Sequence, residues 1–335
     1  MILVTGGTGL VGSHLLYSLA KKGNKIRATY RNEDKIQLTK KVFGYYTDEP
    51  ENLLKTIEWV KCDINDIPIL EIVFDGVNHV YHCAALISFD PKDRKKLFKV
   101  NAQGTCNIVN LCIAHNVQKL CYVSSIATIG NPIDKKPADE TTEFNEATAN
   151  VYALSKHQAE MEVWRGSQEG VKAIIVNPGV ILGPGFWSNG SGSLFKKIYK
   201  GLRFYTQGKT GFVAVTDVVD AMLDLMNSNF INQRYILVSK NLSYQEAIIE
   251  IANSLDKKPP KRLLKKWQLD ILWRLDWLKS LLTGMPRGLS KKMAESLNLS
   301  SNYNSKKIKK DIGFEFHDLD KTIKFCGTTF LEENH

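Results

Sequence analysis

The sequence of 335 residues lacks the features that mark membrane-spanning, secreted and zinc-binding proteins. No uninterrupted apolar stretch reaches the ~18 residues of a membrane span. The six cysteines include no C-x-x-C pair, which favours buried, reduced thiols over a disulfide framework or a zinc site. Because a predicted strand begins at Met1, no room is left for a secretory signal, and we expect a cytoplasmic protein.

Acidic residues are too few to balance the basic ones, and the formal net charge is +10. The lysines concentrate in the last third of the chain without an RNA- or DNA-binding motif, so we expect no nucleic acid partner. A solvated basic surface is the favoured interpretation, and part of this charge would attract an anionic cofactor. The 43% hydrophobic content suits one large α/β domain, or one domain with a smaller appendage.

What the sequence does contain is a glycine-rich turn directly after its first apolar run, Met1–Val4. Two spacings fit, Gly7-x-Gly9-x-x-Gly12 and Gly6-x-x-Gly9-x-x-Gly12. Glycine permits the tight turn, removes the Cβ that a close phosphate excludes, and leaves the helix N-terminus free to bind an anion. An ordinary glycine turn is the alternative. The position between strand and helix instead predicts a dinucleotide pyrophosphate site, formed by Gly6, Gly7, Thr8, Gly9, Leu10, Val11 and Gly12.

Short apolar runs alternate with longer amphipathic segments through the first half of the chain. The predicted strands after the first are 25–30, 57–61, 79–83, 119–124 and 171–177, and the predicted helices lie near 10–22, 65–74, 94–115 and 148–168. This alternation predicts an α/β fold with a Rossmann-type, doubly wound parallel sheet of strand order 3-2-1-4-5-6.

The composition changes after Pro178, where loop signals are followed by helices and few strands. We therefore predict a dinucleotide-binding domain over residues 1–178 and a smaller, mainly helical substrate-binding lobe over 179–335. A later strand at 234–238 is expected to return to the main sheet as a seventh strand.

A tyrosine and a lysine, Tyr152 and Lys156, stand four residues apart on one predicted helix. This spacing puts them on one helix face. A tyrosine titrates near ~10 in water, so it exchanges protons at neutral pH only if a neighbouring cation stabilises its phenolate. Lys156 is placed to be that cation. The pattern alone also fits a surface pair, but the glycine turn upstream favours catalysis.

Several motifs in order resemble the extended short-chain dehydrogenase/reductase (NAD-dependent epimerase/dehydratase) family over nearly the whole length. Within it, the pattern is most similar to dihydroflavonol-4-reductase and 3β-hydroxysteroid dehydrogenase-like reductases. The motifs are Gly6, Gly9 and Gly12; Cys62-Asp63-Ile64; Ala84-Ala85; Val100–Thr105; Val123-Ser124-Ser125; Tyr152 to Lys156; and Asn177-Pro178-Gly179.

The resemblance implies three catalytic residues. Ser125 hydrogen-bonds the substrate oxygen, Tyr152 transfers the proton, and Lys156 binds the nicotinamide ribose and lowers the pKa of Tyr152. Ser125 is preferred to Ser124 because the family's catalytic hydroxyl lies five residues before the glycine represented here by Gly130.

The resemblance also implies further cofactor contacts. Asp63 is expected to contact the adenine. Ala84 and Ala85 are expected to lie along the cofactor backbone. The segment from Asn177 to Val180 is expected against the nicotinamide, although many relatives have arginine in place of Asn177. The remaining implied contacts are Ile64, Asn101 and Pro178.

The end of the second strand indicates which cofactor is preferred. Arg31 lies nineteen residues after Gly12, and no acidic residue occupies the strand end. A guanidinium there can pair with a 2′-phosphate, whereas a carboxylate would hold the 2′-hydroxyl of NAD. We predict NADP(H) in preference to NAD(H), with a solvent-exposed arginine or one stacked on adenine as the alternative.

These residues predict an oxidoreductase that reduces a ketone or aldehyde on a small, fairly apolar molecule, without a metal. Phe89, Phe186 and Trp187 are the candidate substrate-pocket residues. A nucleotide-sugar epimerase or dehydratase is the enzymatic alternative, but residues 201–212 lack most of the glycine- and arginine-containing pattern that holds a sugar nucleotide. A non-catalytic dinucleotide sensor or structural subunit is the alternative of another class.

A helical stripe of apolar residues runs through 263–282, with tryptophan and lysine beside it. We expect this helix to pack in the core of the substrate lobe. Membrane association or packing against a partner subunit, including a homodimer, is the alternative that its basic, tryptophan-bearing composition leaves open.

Overall fold

The computed structural model describes residues 1–130, 136–285 and 287–334. Strands and helices are numbered here in chain order. The strands are β1 (Ile2–Thr5), β2 (Ile26–Tyr30), β3 (Ile57–Lys61), β4 (His79–His82), β5 (Lys119–Val123), β6 (Ala173–Pro178), β7 (Val180–Leu182), β8 (Phe204–Tyr205), β9 (Lys209–Ala214), β10 (Gln233–Leu237), β11 (Lys240–Ser243) and β12 (Arg262–Leu263). The helices are α1 (Leu10–Lys21), α2 (Asp34–Gly44), α3 (Pro50–Leu54), α4 (Ile67–Phe74), α5 (Arg94–Leu97), α6 (Gly104–Ala114), α7 (Val151–Gln168), α8 (Gly192–Tyr199), α9 (Val215–Asn227), α10 (Tyr244–Ser254), α11 (Lys266–Thr283), α12 (Lys291–Ser296), α13 (Lys306–Ile312) and α14 (Leu319–Asn334).

Seven parallel strands form the main sheet, in the order β10-β6-β5-β4-β1-β2-β3. The predicted doubly wound α/β fold is therefore confirmed. The sheet is buried on both faces, as successive residues of β1 illustrate. Leu3 belongs to the core cluster with Ile108 and Val163, whereas Val4 belongs to the cluster with Leu15 and Met222. Apolar runs rather than alternating patterns are typical of such strands.

The C-terminal part of the chain is mainly helical and surrounds two small sheets. β9 pairs with β7 in parallel and with β11 in antiparallel orientation, and β12 pairs with β8. Helices α8, α10 and α14 pack around these strands through a separate core that includes Phe195, Ile251 and Phe330. Strand β10 returns to the main sheet beside β6, with Gln233 opposite Ile174.

Two local features differ from the predicted pattern. Helices α2 and α3 occupy the connection between β2 and β3, where no helix was expected. The helix predicted near 94–115 is divided, because a π-helical segment at Phe98–Gln103 separates α5 from α6. Such segments are frequent at functional sites.

The prediction that the helix in 263–282 packs in the core is wrong. Only Leu269 and Ser280 are buried in α11. The stripe residues Trp267, Leu275 and Leu282 are 59%, 56% and 76% exposed. The stripe is real, but it faces solvent, because periodicity does not say which side of a helix meets the protein. Within the described ranges, no helix is long and apolar enough to cross a membrane.

Candidate active site

The glycine turn between β1 and α1 has the geometry of a phosphate cradle. Gly6 has φ +69°, and a Cβ there would lie 2.7 Å from the Ala84 backbone. A Cβ at Gly12 would lie 2.2 Å from the Gly6 carbonyl oxygen, so both glycines are fixed by close packing. A Cβ at Gly9 would instead lie 3.4 Å from the Gly6 carbonyl oxygen, and Gly9 is the exposed N-cap residue of α1, with no side-chain hydrogen bond capping the helix. The free N–H groups of this helix end fit a pyrophosphate.

The rest of the predicted cradle lies on the same turn. Gly7 is buried, and a Cβ there would lie 2.9 Å from Leu16 Cδ1. Thr8, Leu10 and Val11 are half-buried. Ser13 Oγ donates to the Gly7 carbonyl oxygen at 3.2 Å, which fixes the turn from within α1.

Arg31 and Asp63 lie together beyond the ends of β2 and β3, and both are exposed. Burial raises the pKa of Asp63, but hydrogen bonds from Asn65 and the charges of Arg31 and Lys99 bring it below its ordinary value overall. The sequence does not predict that Lys99, from the π-helical segment, lies near Asp63, and nothing in its sequence context signals this position. A strand-end arginine with a second cation nearby can hold a phosphate group.

The predicted contacts Ile64, Ala84 and Ala85 lie around the carboxyl ends of β3 and β4. Ile64 is buried, and a Cβ on Gly104 would lie 2.4 Å from Ile64 Cδ1, so the glycine permits α6 to approach closely. The Ala84 N–H donates to Thr5 Oγ1 at 3.4 Å, and Ala85 is exposed beside it. Of these residues, Ala84 packs directly against the glycine turn at Gly6.

The two adjacent serines after β5 have different partners. Ser124 Oγ is buried and donates to Glu160 Oε2 at 2.6 Å. Ser125 is half-buried, accepts from the Ala127 N–H at 3.1 Å, and forms a hydrogen bond with Tyr152. The geometry therefore leaves Ser125, and not Ser124, beside the phenol.

Tyr152 lies in the first turn of α7, which Asn150 caps by accepting from the Ala153 N–H. Burial raises the pKa of Tyr152 to about 12, and the hydrogen bond with Ser125 opposes this rise. The Phe89 ring packs edge-on against the Tyr152 ring at 5.6 Å between centroids. Of the three candidate pocket residues, Phe89 thus contacts the predicted proton donor Tyr152.

Lys156 lies one turn further along α7 and is only 1% exposed. Its Nζ donates to the Val123 carbonyl oxygen at 2.8 Å and lies 4.3 Å from the centre of the Tyr122 ring. Burial lowers the pKa of Lys156 to about 7, and Glu160 opposes this. The expected lowering of the Tyr152 pKa by Lys156 stays a prediction, since Ser125 is the neighbour that lowers it here.

Sequence reasoning missed a buried carboxylate behind the serines. Glu160 is 0% exposed, and its Oε2 accepts from Ser124 Oγ, Thr128 Oγ1 and Asn177 Nδ2 at 2.6, 2.8 and 3.0 Å. Its Oε1 pairs with Arg234 Nη1 at 3.1 Å. The position four residues after Lys156, on the same helix face, is the signal that could have found it.

Asn177, Pro178 and Val180 lie at the end of β6 and the start of β7. Asn177 is fully buried and also donates to the Ser125 carbonyl oxygen at 3.2 Å, so it holds the serine loop from behind. Pro178 is buried and Val180 is half-buried. Nicotinamide contact by this segment stays a prediction.

Asn101, in the π-helical segment, joins two parts of the site. Its Oδ1 accepts from the Leu86 N–H at 2.7 Å, and its Nδ2 donates to the Leu86 carbonyl oxygen at 3.0 Å and to Ser155 Oγ at 2.9 Å. Asn101 therefore attaches the loop that carries Phe89 to helix α7. Its predicted cofactor contact is not tested by these bonds.

The contacts of Trp187, another candidate pocket residue, are with α8 and α14. Trp187 Nε1 donates to Glu333 Oε2 at 2.6 Å, and its ring packs against Phe195 and Phe330. Phe186 is half-buried next to it. Trp187 is thus tied to the C-terminal helix.

The arrangement combines a phosphate cradle with a serine, a protonated phenol and a buried lysine. Such a set can bind a dinucleotide and exchange a proton with a carbonyl or hydroxyl oxygen. In the part of the chain that the structure describes, no group of three or more His, Cys, Asp or Glu could hold a metal ion.

Comparison with known proteins gives matches over most of the chain. A family model described as the NAD dependent epimerase/dehydratase family matches residues 2–237. A Synechocystis sp. protein that carries the name of dihydroflavonol 4-reductase is 30% identical over 274 residues, which are 79% of this chain and 75% of that protein. UDP-glucose 4-epimerase of Vibrio cholerae is 28% identical over 290 residues, 81% of this chain and 79% of the epimerase.

Solved structures match over the whole length. The crystal structure of gox2253 is similar with a TM-score of 0.82 and 26% identity, covering 99% of this chain and 98% of that one. The similarity thus includes the C-terminal lobe as well as the main sheet.

Proposed function

Because the chain belongs to the NAD-dependent epimerase/dehydratase family, we propose that it is an NADP(H)-dependent oxidoreductase that reduces a ketone or aldehyde on a small, fairly apolar molecule. The observation that carries the proposal is the contact between Phe89 and Tyr152. Through this contact, the exposed Phe89 gives the proposed proton donor Tyr152 an apolar neighbour. The similarity to a protein named for a dihydroflavonol reductase supports the same reaction class.

A nicotinamide nucleotide, when bound, supplies the hydride that adds to the carbonyl carbon. Ser125 would donate a hydrogen bond to the carbonyl oxygen, and Tyr152 would give its proton to that oxygen as negative charge develops. A pKa of about 12 keeps the Tyr152 phenol protonated at neutral pH, which suits an acid in reduction. Lys156 is the residue that we propose to bind the ribose hydroxyls, and Asn101 and Asn177 are positioning residues.

The cofactor preference rests on the adenosine end of the site. Arg31 and Lys99 offer two cations near the predicted adenine contact Asp63, and no acidic residue ends β2. A 2′-phosphate would pair with the Arg31 guanidinium. We therefore propose NADP(H) as the preferred cofactor. We also propose a cytoplasmic location for the enzyme, as the sequence led us to expect.

The test is calorimetry of NADPH and NADH binding to the wild type and to Arg31→Ala. We expect the wild type to prefer NADPH, and Arg31→Ala to bind NADPH about 10- to 100-fold more weakly with little change for NADH. Arg203→Ala, which removes an exposed arginine of the C-terminal lobe, is the matched control and should keep the preference. Equal or stronger binding of NADH by the wild type would contradict the NADP(H) assignment.

A second candidate is a nucleotide-sugar epimerase, which the similarity to the Vibrio cholerae enzyme favours. The two reactions differ in their use of the cofactor. A reductase consumes NADPH when apolar ketones or aldehydes are supplied, whereas an epimerase converts UDP-glucose without net change in the cofactor. Absence of both activities in a protein that still binds the cofactor would favour the non-catalytic alternative.

A further inference from the structure

The outer face of α11 is apolar and unoccupied by any described part of the chain. Six side chains, which we call the apolar face, are between 45% and 76% exposed: Trp267, Ile271, Leu275, Leu278, Leu281 and Leu282. Single exposed apolar residues are common on protein surfaces, but a contiguous set on one helix marks an interaction site.

The opposite side of α11, which meets the protein, is held by polar contacts. Ser280 Oγ accepts from Lys92 Nζ at 2.8 Å and donates to the Met285 carbonyl oxygen at 2.7 Å. Asp276 Oδ2 accepts from the Leu289 N–H at 2.9 Å. A surface helix of a globular protein normally directs its apolar side inward. In α11 most apolar side chains face outward instead, and Leu269 is the one apolar side chain of the helix that is buried.

The segment around this helix accounts for most of the net positive charge of the protein. Residues 257–292 contain eleven lysine and arginine residues against two aspartates, so nine of the ten net charges lie in this segment. Exposed cations lie just before the helix at Lys261, Arg262 and Lys265, and within it at Lys266 and Lys279. The apolar face therefore has a basic margin.

We propose that the apolar face and its basic margin bind the surface of a bilayer that contains anionic lipid, with α11 lying in the plane of the interface. Apolar side chains would enter the boundary of the acyl chains, tryptophan suits the headgroup level, and the cations would meet the anionic headgroups. Docking of a second copy would instead oppose two segments of the same strong positive charge. The charge distribution favours the bilayer over the homodimer.

The same segment is attached to the loop that packs on Tyr152. Asp90 Oδ2 accepts from the Arg287 N–H at 2.9 Å, next to the Lys92–Ser280 contact. A bilayer-bound molecule would thus hold the loop of Phe89 close to the membrane, which suits a substrate dissolved in lipid. This consequence rests on the proposed function, whereas bilayer binding itself does not.

The experiment is flotation of the full chain with vesicles of phosphatidylcholine alone and of phosphatidylcholine mixed with phosphatidylglycerol. We expect the wild type to float with the anionic vesicles, and to be released by high salt. The variant Leu278→Glu/Leu282→Glu should bind at least about tenfold more weakly than the wild type, because two side chains that enter the apolar zone become charged. Ile72→Glu on α4, where Ile72 is 71% exposed, is the matched control and should bind like the wild type.

Thermal unfolding of each variant establishes that it is folded, and Lys265→Gln/Lys266→Gln gives a second test that keeps the apolar face intact. This variant should lose part of the binding to anionic vesicles. Wild type that does not float, or an α11 variant that floats as well as the wild type, would overturn the proposal. So would sedimentation velocity showing that the wild type is a dimer which Leu278→Glu/Leu282→Glu dissociates. Since no turnover is measured, failure here is distinct from failure of the proposed reaction.

Discussion

Helices α7 and α11 are both 18 residues long, yet they place polar and apolar side chains in opposite ways. Helix α7 buries a lysine and a glutamate, Lys156 and Glu160, in the centre of the protein. Helix α11 leaves tryptophan and leucine side chains in solvent and is attached through polar groups. Both depart from the rule that apolar side chains face inward, and both departures lie where we place function.

The buried charges of α7 and the exposed apolar face of α11 are tolerated for different physical reasons. A buried charge is tolerated only where partners replace water, and Glu160 has four of them. An exposed apolar face carries no comparable penalty in the folded chain, and it becomes favourable when a surface covers it. Substitutions in α7 should therefore alter catalysis and stability, whereas those in α11 should alter association.

The largest expected effect is that of Tyr152→Phe on turnover. Loss of the phenolic proton donor should lower kcat by about 10²- to 10⁴-fold, while calorimetric NADPH affinity stays close to that of the wild type. Trp277→Phe on α11 is the comparison variant and should leave the reduction of a water-soluble carbonyl unchanged. A wild-type kcat for Tyr152→Phe would show that the Tyr152 phenol on α7 does not take part in the reaction.

The next effect is the loss of stability on removing the buried carboxylate. Glu160→Gln should lower the free energy of unfolding by about 3 kcal/mol, because Arg234 is left without its ion-pair partner in a buried network. Glu162→Gln removes a carboxylate on the same helix whose partner is the more exposed Arg165, and should cost less than about 1 kcal/mol. Urea denaturation measures both, and equal losses would mean that the Glu160 network adds nothing beyond a surface pair.

A pH-dependent effect should separate the lysines of the two helices. Burial lowers the pKa of Lys156 to about 7, whereas a lysine in the unfolded chain titrates near ~10.4. Between these values the unfolded chain binds more protons, so the free energy of unfolding rises with pH. From pH 7 to 8.5, Lys156 should contribute a rise of about 2 kcal/mol.

The measurement is urea denaturation at several pH values for the wild type, for Lys156→Met and for the exposed-lysine control Lys266→Met. The rise due to Lys156 should be missing in Lys156→Met and present in Lys266→Met. Parallel pH profiles for all three proteins would show that Lys156 is not held with a lowered pKa.

Much of the sheet could be predicted from the sequence, because each buried strand is a short apolar run and each crossover is a longer amphipathic segment. The glycine turn and the Tyr152–Lys156 spacing are equally local signals. The environment of Lys156 is not local, since its ammonium contacts Val123 and Tyr122 from a neighbouring strand.

Contacts between distant segments explain what the sequence could not predict at the site. Asn101 meets Leu86 and Ser155, and Glu160 meets Arg234, only after the chain has folded. The stripe of α11 was detected, but its direction was not, because a helical period is the same whether the stripe faces a core or solvent. The direction of the stripe depends on which side chains of the rest of the lobe pack against the helix.

The smallest expected effect is the one that most directly tests this direction. Leu281→Ser removes an apolar side chain that is 65% exposed, so the free energy of unfolding should change by less than about 0.5 kcal/mol. Val163→Ala on α7, where Val163 is 0% exposed, should cost about 1 to 3 kcal/mol. A large loss for Leu281→Ser in the absence of lipid would mean that the apolar face is covered by protein in solution. A small loss, together with weaker flotation on anionic vesicles, would mean that its partner is the bilayer.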